Sequence, residues 1–271
     1  MQRGGLRAAP PVWATAGRTL ARMQTANNSN AAIALVGFDA YDTLWRSQDF
    51  FDLAQVEFEQ ISGRYVDLGD SRARERLYAV EKGNLALFGY GVKGMALSMM
   101  EAAIEITGER LDAADMHRIL RLAKDMLSHP VELLPGVREA VEAIATEHEV
   151  VLITKGDLFH QEAKVRQSGL AGMFPRIEIV SEKDPATYAR VLEEFELPPE
   201  RFLMIGNSLR SDVAPVLELG GWAVHMPYHL TWEHEREADL GGNGRRMREV
   251  ASPGELPAAV REIAALAAGP G

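Results

Sequence analysis

The sequence predicts an α/β fold, a three-layer parallel-sheet core with a helical cap inserted between strands 1 and 2. Three observations carry that expectation. The first apolar run shows no alternation, the pattern of a strand covered on both faces, and four comparable runs follow it. Helix-like segments separate the later runs, which is the order of βαβ units. Between the first and second runs, residues 46–134 hold no convincing strand and read as helix throughout.

The first run, Ala32 to Phe38, leads straight into Asp39. The second is Glu149 to Ile153, ending in Thr154-Lys155-Gly156-Asp157; the third is Arg176 to Val180, ending in Ser181-Glu182-Lys183. Arg201 to Ile205 runs into Gly206-Asn207-Ser208, and Trp222 to Met226 into Pro227-Tyr228. Helices are expected at Val137 to Thr146, Phe159 to Ser168 (closed by Gly169), Pro185 to Phe195 and Asp212 to Leu219. Right-handed crossovers then bring every strand's C-terminal end to one edge of a Rossmann-like sheet, where ligands bind. Asp39, Thr154, Lys183, Asn207 and Asp212 all fall at that edge. The cap helices are expected at Asp52 to Ser62, Arg72 to Leu87, Lys93 to Ile106 and Ala113 to Leu127, with Met95, Met99 and Met100 in their core. The division is therefore 31–45 and 135–271 for the core and 46–134 for the cap. After Tyr228 the chain turns polar, with a glycine-rich loop at 241–244 and a last helix from Pro253 to Ala268. Residues 1–30 carry four arginines and no acid, and read as a disordered or extraneous extension.

Composition excludes several classes. With no cysteine there is no disulfide, thiolate metal site or cysteine nucleophile, which fits a reducing, cytoplasmic setting. A net charge of -10 argues against a nucleic-acid partner, since that binding runs on Lys and Arg against phosphate. No apolar run approaches the roughly 20 residues of a membrane span. The expected partner is a small-molecule substrate, and the expected assembly is a monomer or homodimer.

The sharpest motif is Phe38-Asp39-Ala40-Tyr41-Asp42-Thr43-Leu44-Trp45. An aspartate leaves the end of a buried strand, with a threonine four residues on. It resembles motif I of the haloacid dehalogenase (HAD) superfamily, which reads Asp-x-Asp-x-Thr in phosphatases and Asp-x-Tyr-x-Thr in 2-haloacid dehalogenases. Thr154 is similar to motif II, Lys183 to motif III, and Gly206-Asn207-Ser208-Leu209-Arg210-Ser211-Asp212 to motif IV. The resemblance covers about residues 32–230, and the insert stands where the superfamily carries its helical C1 cap.

The resemblance implies that Asp39 is a nucleophile forming an aspartyl intermediate. It gives Thr43 a place in the motif I loop, and it makes Thr154, Lys155 and Lys183 groups that hold the substrate anion. It implies that Asp39, the carbonyl of Tyr41, Asn207 and Asp212 hold Mg²⁺, an ion that takes oxygen ligands and keeps several waters. Tyr41 is the departure from the phosphatase pattern. A phenol with a pKa near ~10 is a poor base at pH 7, whereas an aspartic acid there would protonate the leaving alcohol and activate water. Halide leaves without a proton, so Tyr41 suits metal-free 2-haloacid dehalogenation. Dehalogenases, however, have Gly in place of Asp42, Ser-Asn in place of Thr154-Lys155, and a second Asn in place of Leu209. They also use a cap arginine, for which Arg64, Arg72, Arg74 and Arg76 are equal candidates. Three readings stay open: a Mg²⁺-dependent phosphatase of a small phosphorylated metabolite, a dehalogenase, and a catalytically impaired binding protein. His225, His229 and His234 read as surface or pocket-rim histidines rather than a zinc site. Gly89-Tyr90-Gly91-Val92-Lys93-Gly94 reads as a cap turn, and Trp222, Tyr228 and Trp232 as pocket or sheet-edge residues.

Overall fold

A computed structural model describes residues 31–236 and 244–269. The expected N-terminal extension, 1–30, and most of the glycine-rich loop lie outside the described residues. The core strands are β1 (Leu35–Phe38), β2 (Glu149–Lys155), β3 (Arg176–Val180), β4 (Phe202–Gly206), β5 (Trp222–His225) and β6 (Met247–Glu249). They form a parallel sheet in the order β3-β2-β1-β4-β5-β6.

The runs of β1, β2 and β4 lack alternation because both faces of the sheet are covered there, whereas β3 alternates Arg176 and Glu178 with Ile177 and Ile179 and is only partly buried. Val36, Leu152 and Leu203 pack on one face with residues of α5 (Val137–Glu147), α6 (Leu158–Ser168) and α10 (Leu256–Ala267). Leu35, Val151, Ile153 and Phe202 pack on the other, against α7 (Pro185–Glu194) and α8 (Ala214–Glu218). Successive side chains point to opposite faces, so each face takes every second residue. Gly37 is the tight spot at the sheet centre. A Cβ there would sit 2.8 Å from both Met204 Sδ and Phe202 Cζ.

Between β1 and β2 lie α1 (Gln48–Ser62), a single helical turn (Leu68–Ser71), α2 (Ala73–Phe88), α3 (Val92–Ile106) and α4 (Ala113–Ser128). They share a separate apolar cluster that includes Phe58, Ile61, Leu77, Met95, Met99 and Ile119. The insert joins the core through two segments paired to each other: Arg46 N donates to Glu132 O at 2.9 Å, and Leu134 N to Leu44 O at 2.9 Å. A short helix, α9 (Glu233–Arg236), lies between β5 and β6.

Two expectations need correction. The tail holds a sixth strand, β6, which sequence reading missed. Met247-Arg248-Glu249 has no apolar run; backbone pairing to β5 alone makes it a strand. The segment expected to be a helix from Asp212 starts earlier, with a π-type turn at Leu209–Val213 ahead of α8. No helix among the described residues is long and apolar enough to cross a membrane.

Candidate active site

Asp39 is fixed by the sheet: its backbone N–H donates to Ile205 O at 2.8 Å, just beyond the end of β1. Its carboxylate is buried and pairs through Oδ1 with the Lys183 ammonium. The same ammonium donates to Asp212 Oδ1 at 2.7 Å. Asp212 Oδ2 accepts from the Ser208 backbone N–H at 3.0 Å. Gly206 makes room for this arrangement, since a Cβ there would lie 2.2 Å from Asp212 Cγ. Thr43 Oγ1 donates to Asp39 Oδ2 at 3.2 Å and lies 3.4 Å from Asn207 Oδ1, so those two oxygens converge on one hydroxyl. Thr154 is buried at the end of β2 in the wall of the same cavity. The structure thus brings Asp39, Thr43, Thr154, Lys183, Asn207 and Asp212 together.

Burial alone would lower the Lys183 ammonium; the Asp212 and Asp39 carboxylates outweigh it and hold lysine above its usual value. Asp212 is pushed up by burial, with the Asp39 charge adding to the effect and Lys183 only partly offsetting it. Two buried carboxylates therefore share one ammonium, and the site is short of positive charge.

Tyr41 lines the cavity, with its hydroxyl 3.2 Å from His160 Nδ1. Burial, and then the charges of Asp42, Asp39 and Asp157, raise the phenol far above its usual value, so it stays protonated. Burial pulls His160 down to about 4, so the imidazole is neutral at pH 7.

Asp42 has a structural task that sequence reading missed. It takes a left-handed backbone conformation (φ +58°) and turns its carboxylate onto the start of α1. Oδ1 accepts from Ser47 N at 2.8 Å and Gln48 N at 3.0 Å. Helix starts leave such amides without partners, and an acidic acceptor fits both the amides and the helix dipole. The only hint in the sequence is an Asp a few residues ahead of a helix.

Lys155 is heavily engaged. Its ammonium donates to Ser211 Oγ at 2.8 Å and Glu235 Oε1 at 2.8 Å, reaches Glu182 Oε1 at 3.3 Å, and sits 4.0 Å from the centre of the Tyr90 ring. Burial would raise Glu235, but Lys155 and the hydroxyls of Ser208 and Ser211 hold it at about 2.

The cavity over Asp39 has a volume of about 170 Å³ and is closed on its far side by the insert. Glu81, Asn84, Leu85 and Phe88 of α2 line it, at the spacing of one helix face. Gly89 and Gly91, both at positive φ, turn the chain from α2 to α3 at its rim. Glu81 was not picked out in the sequence, because only the docking of the insert puts that face over Asp39.

Other candidates lie elsewhere. His225 bonds Glu249 Oε2 at 3.0 Å and Asn207 O at 3.1 Å, and His229 pairs with Asp49 at 3.1 Å. His234 stacks on Trp232, a cavity residue, with ring centres 4.9 Å apart. Among the described residues no three His, Cys, Asp or Glu side chains converge as metal ligands. Trp222 Nε1 donates to Glu200 O at 2.9 Å and Tyr228 hydrogen-bonds Asp49, both outside the cavity lining. The insert arginines are engaged away from the cavity: Arg64 with Asp115, Arg72 with Glu75, Arg74 with Glu59 and Arg76 with Glu105.

No curated protein matches the chain by sequence. Among solved structures, a haloacid dehalogenase-like family hydrolase from Xanthomonas campestris is similar at 55% identity and a TM-score of 0.79, covering 88% of this chain and 95% of that one. More distant are a 2-haloacid dehalogenase from Pseudomonas syringae (20% identity, TM-score 0.50, 85% of this chain and 99% of that one) and a predicted phosphoglycolate phosphatase from Haemophilus somnus (16%, 0.56, 84% and 97%). These two share the fold. The family model for haloacid dehalogenase-like hydrolases matches residues 33–220, and with it the chain belongs to that family of hydrolases.

Proposed function

We propose that this hydrolase is a Mg²⁺-dependent phosphatase of a small phosphate monoester, working through Asp39. One observation carries the choice over dehalogenation. Among the described residues no arginine lines the cavity, and its two ammoniums, Lys155 and Lys183, are each shared between two carboxylates. A 2-haloacid would bring a carboxylate and release a halide into a cavity with no uncommitted cation. A phosphate ester brought in with a divalent cation does not meet that obstacle.

The donor set fits such a cation. Asp39 Oδ2 and Asn207 Oδ1 are hard oxygens meeting at Thr43, and the second carboxylate, Asp212, is close by on Lys183. With the Tyr41 carbonyl they would hold Mg²⁺, which keeps the rest of its shell as water. When bound, the ion supplies the positive charge that this site lacks and that a transferring phosphoryl group needs.

In the proposed reaction an Asp39 oxygen attacks phosphorus, and the ester P–O bond breaks. Lys183 orients the attacking carboxylate and faces the charge of the phosphoryl oxygens. The Thr154 hydroxyl donates to one of those oxygens. Tyr41, kept protonated, hydrogen-bonds the departing oxygen, which leaves as the alkoxide and takes its proton from solvent. Water then attacks the phosphoaspartate and gives its proton up to solvent, releasing phosphate and restoring the Asp39 carboxylate. A protonated phenol cannot take a proton from that water, so the second step is the slow one.

The test is phosphate release from p-nitrophenyl phosphate with and without Mg²⁺, with Asp39→Asn as the blank. Mg²⁺-dependent release that vanishes in the blank is expected. Tyr41 favours a second reading, 2-haloacid dehalogenation. Chloride release from 2-chloropropionate by the wild type, with no phosphate release, would replace the first reading by the second.

A further inference from the structure

Glu81 stands apart from the other acids of the cavity. Asp39 and Asp212 pair with Lys183, Glu235 pairs with Lys155, and Asp42 accepts backbone amides. Glu81 makes no ion pair or hydrogen bond among the described residues. Burial is the whole cause of its upward shift, to about 7. A carboxylate held in a largely apolar wall is costly unless a partner compensates it. The protein offers none here, because both lysines of the cavity are already committed. The divalent cation proposed above sits with Asp39, Asn207 and Asp212, so the remaining source of a cation for Glu81 is the substrate.

The rest of the wall fits a cation as well. Phe51, Phe88, Tyr90 and Trp232 line the same cavity, and aromatic ring faces attract ammonium groups. The Tyr90 ring already holds one, that of Lys155, at 4.0 Å. A sugar phosphate would set only hydroxyls against Glu81, and a phosphorylated acid would set a second negative charge there.

Resting on the phosphatase reading, we infer that the substrate is an amine-bearing phosphate monoester, with its phosphoryl group at Asp39 and its ammonium held by Glu81 on the insert. Glu81 on this account is a specificity residue. It selects the substrate and takes no part in breaking the P–O bond.

The experiment compares phosphoethanolamine, ethyl phosphate and 2-phosphoglycolate, esters of similar size carrying a cation, no charge and an anion. Wild type and Glu81→Gln are assayed with Mg²⁺ at pH 8, and kcat and KM are taken for each ester. Wild type should prefer phosphoethanolamine over ethyl phosphate by about tenfold or more in kcat/KM, mostly through KM, as for a hydrogen bond to a charged group. Glu81→Gln should bring that ratio close to 1. A wild type that prefers ethyl phosphate or 2-phosphoglycolate overturns the inference. So does a Glu81→Gln variant that loses kcat equally on all three esters together with one limb of the pH profile, since that is the behaviour of a general acid. Binding tests the inference without turnover. Asp39→Asn should be stabilised against heat more by phosphoethanolamine than by ethyl phosphate, and Asp39→Asn/Glu81→Gln should be stabilised by the two alike. Absence of phosphate release from every ester, p-nitrophenyl phosphate included, counts against the phosphatase reading. Equal stabilisation of Asp39→Asn by phosphoethanolamine and ethyl phosphate counts against the amine.

Discussion

Replacing Asp42 separates two effects that the structure sets against each other. Its buried carboxylate accepts from Ser47 N and Gln48 N at 2.8 and 3.0 Å, and its backbone sits at φ +58°. Removing the carboxylate leaves two amides at the start of α1 without their acceptor, which costs about 2–3 kcal/mol in total. The left-handed conformation costs an ordinary side chain about 1 kcal/mol and costs glycine almost nothing. Asp42→Ala loses the acceptor and keeps the backbone cost. Asp42→Gly loses the acceptor and relieves the backbone, so it should be about 1 kcal/mol more stable than Asp42→Ala. Asp42→Asn keeps an acceptor oxygen and a tolerance for left-handed backbone, and should lose less than about 1 kcal/mol. At roughly 2–4 °C per kcal/mol for a protein near this size, Asp42→Ala should melt about 4–12 °C below wild type. Thermal and urea unfolding of the three variants gives the order Asn above Gly above Ala. An Asp42→Ala protein as stable as Asp42→Gly would refute the reasoning, because the backbone would then carry no strain to relieve.

Three further outcomes are expected. Gly206→Ala puts a Cβ where the Asp212 carboxylate lies, 2.2 Å from its Cγ; steady-state assays should show a loss of at least about 100-fold with a fold that circular dichroism still reads as native, and full activity would count against the packing argument. Rapid mixing of wild type with p-nitrophenyl phosphate should give a burst of nitrophenol followed by slow turnover, and Tyr41→Asp should raise the steady rate by about tenfold or more by supplying a base for water; an unchanged or lower rate would sink that account. Glu235 is held at about 2, below its unfolded value, so the stability it adds is full above about pH 4.5 and is lost as pH falls through 2. Glu235→Gln should therefore cost about 1–2 kcal/mol at pH 7 and flatten the acid side of the stability curve, as read by urea unfolding from pH 7 to pH 3.

Sequence and structure agree most closely where burial dictates composition. β1, β2 and β4 are apolar on both faces because each face of the sheet meets helices there, and that shows in the run of residues itself; β3 instead alternates Arg176 and Glu178 with Ile177 and Ile179 and is only partly buried. β6 was invisible because Met247-Arg248-Glu249 owes its state to backbone pairing with β5 rather than to its own side chains. The grouping of Asp39, Thr154, Lys183, Asn207 and Asp212 was legible because parallel strands must end on one edge. Glu81, His160 and Glu235 were not. Glu81 and Glu235 face the cavity only because α2 and α9 dock over it, and His160 meets Tyr41 across 119 positions of sequence. Asp42 stood in plain view but suggested a departure from a motif, since its bonds to Ser47 and Gln48 depend on a backbone turn that no periodicity announces.

The insert and the core keep separate apolar clusters, joined at one paired neck near Trp45 and Leu133. Elsewhere the two bodies meet through Lys93 and Asp157, Tyr90 and Glu182, Tyr228 and Asp49, and the edges of Tyr78, Tyr90 and Trp232, of which Tyr90 and Trp232 line the cavity. An outward swing of the insert would exchange these surface contacts for water and would leave both apolar interiors sealed. Its ease would then depend on a few polar contacts, which dissolved salt loosens. Ligand entry and exit, rather than the slow hydrolysis of the intermediate, should therefore quicken as ionic strength rises, long before either interior begins to melt.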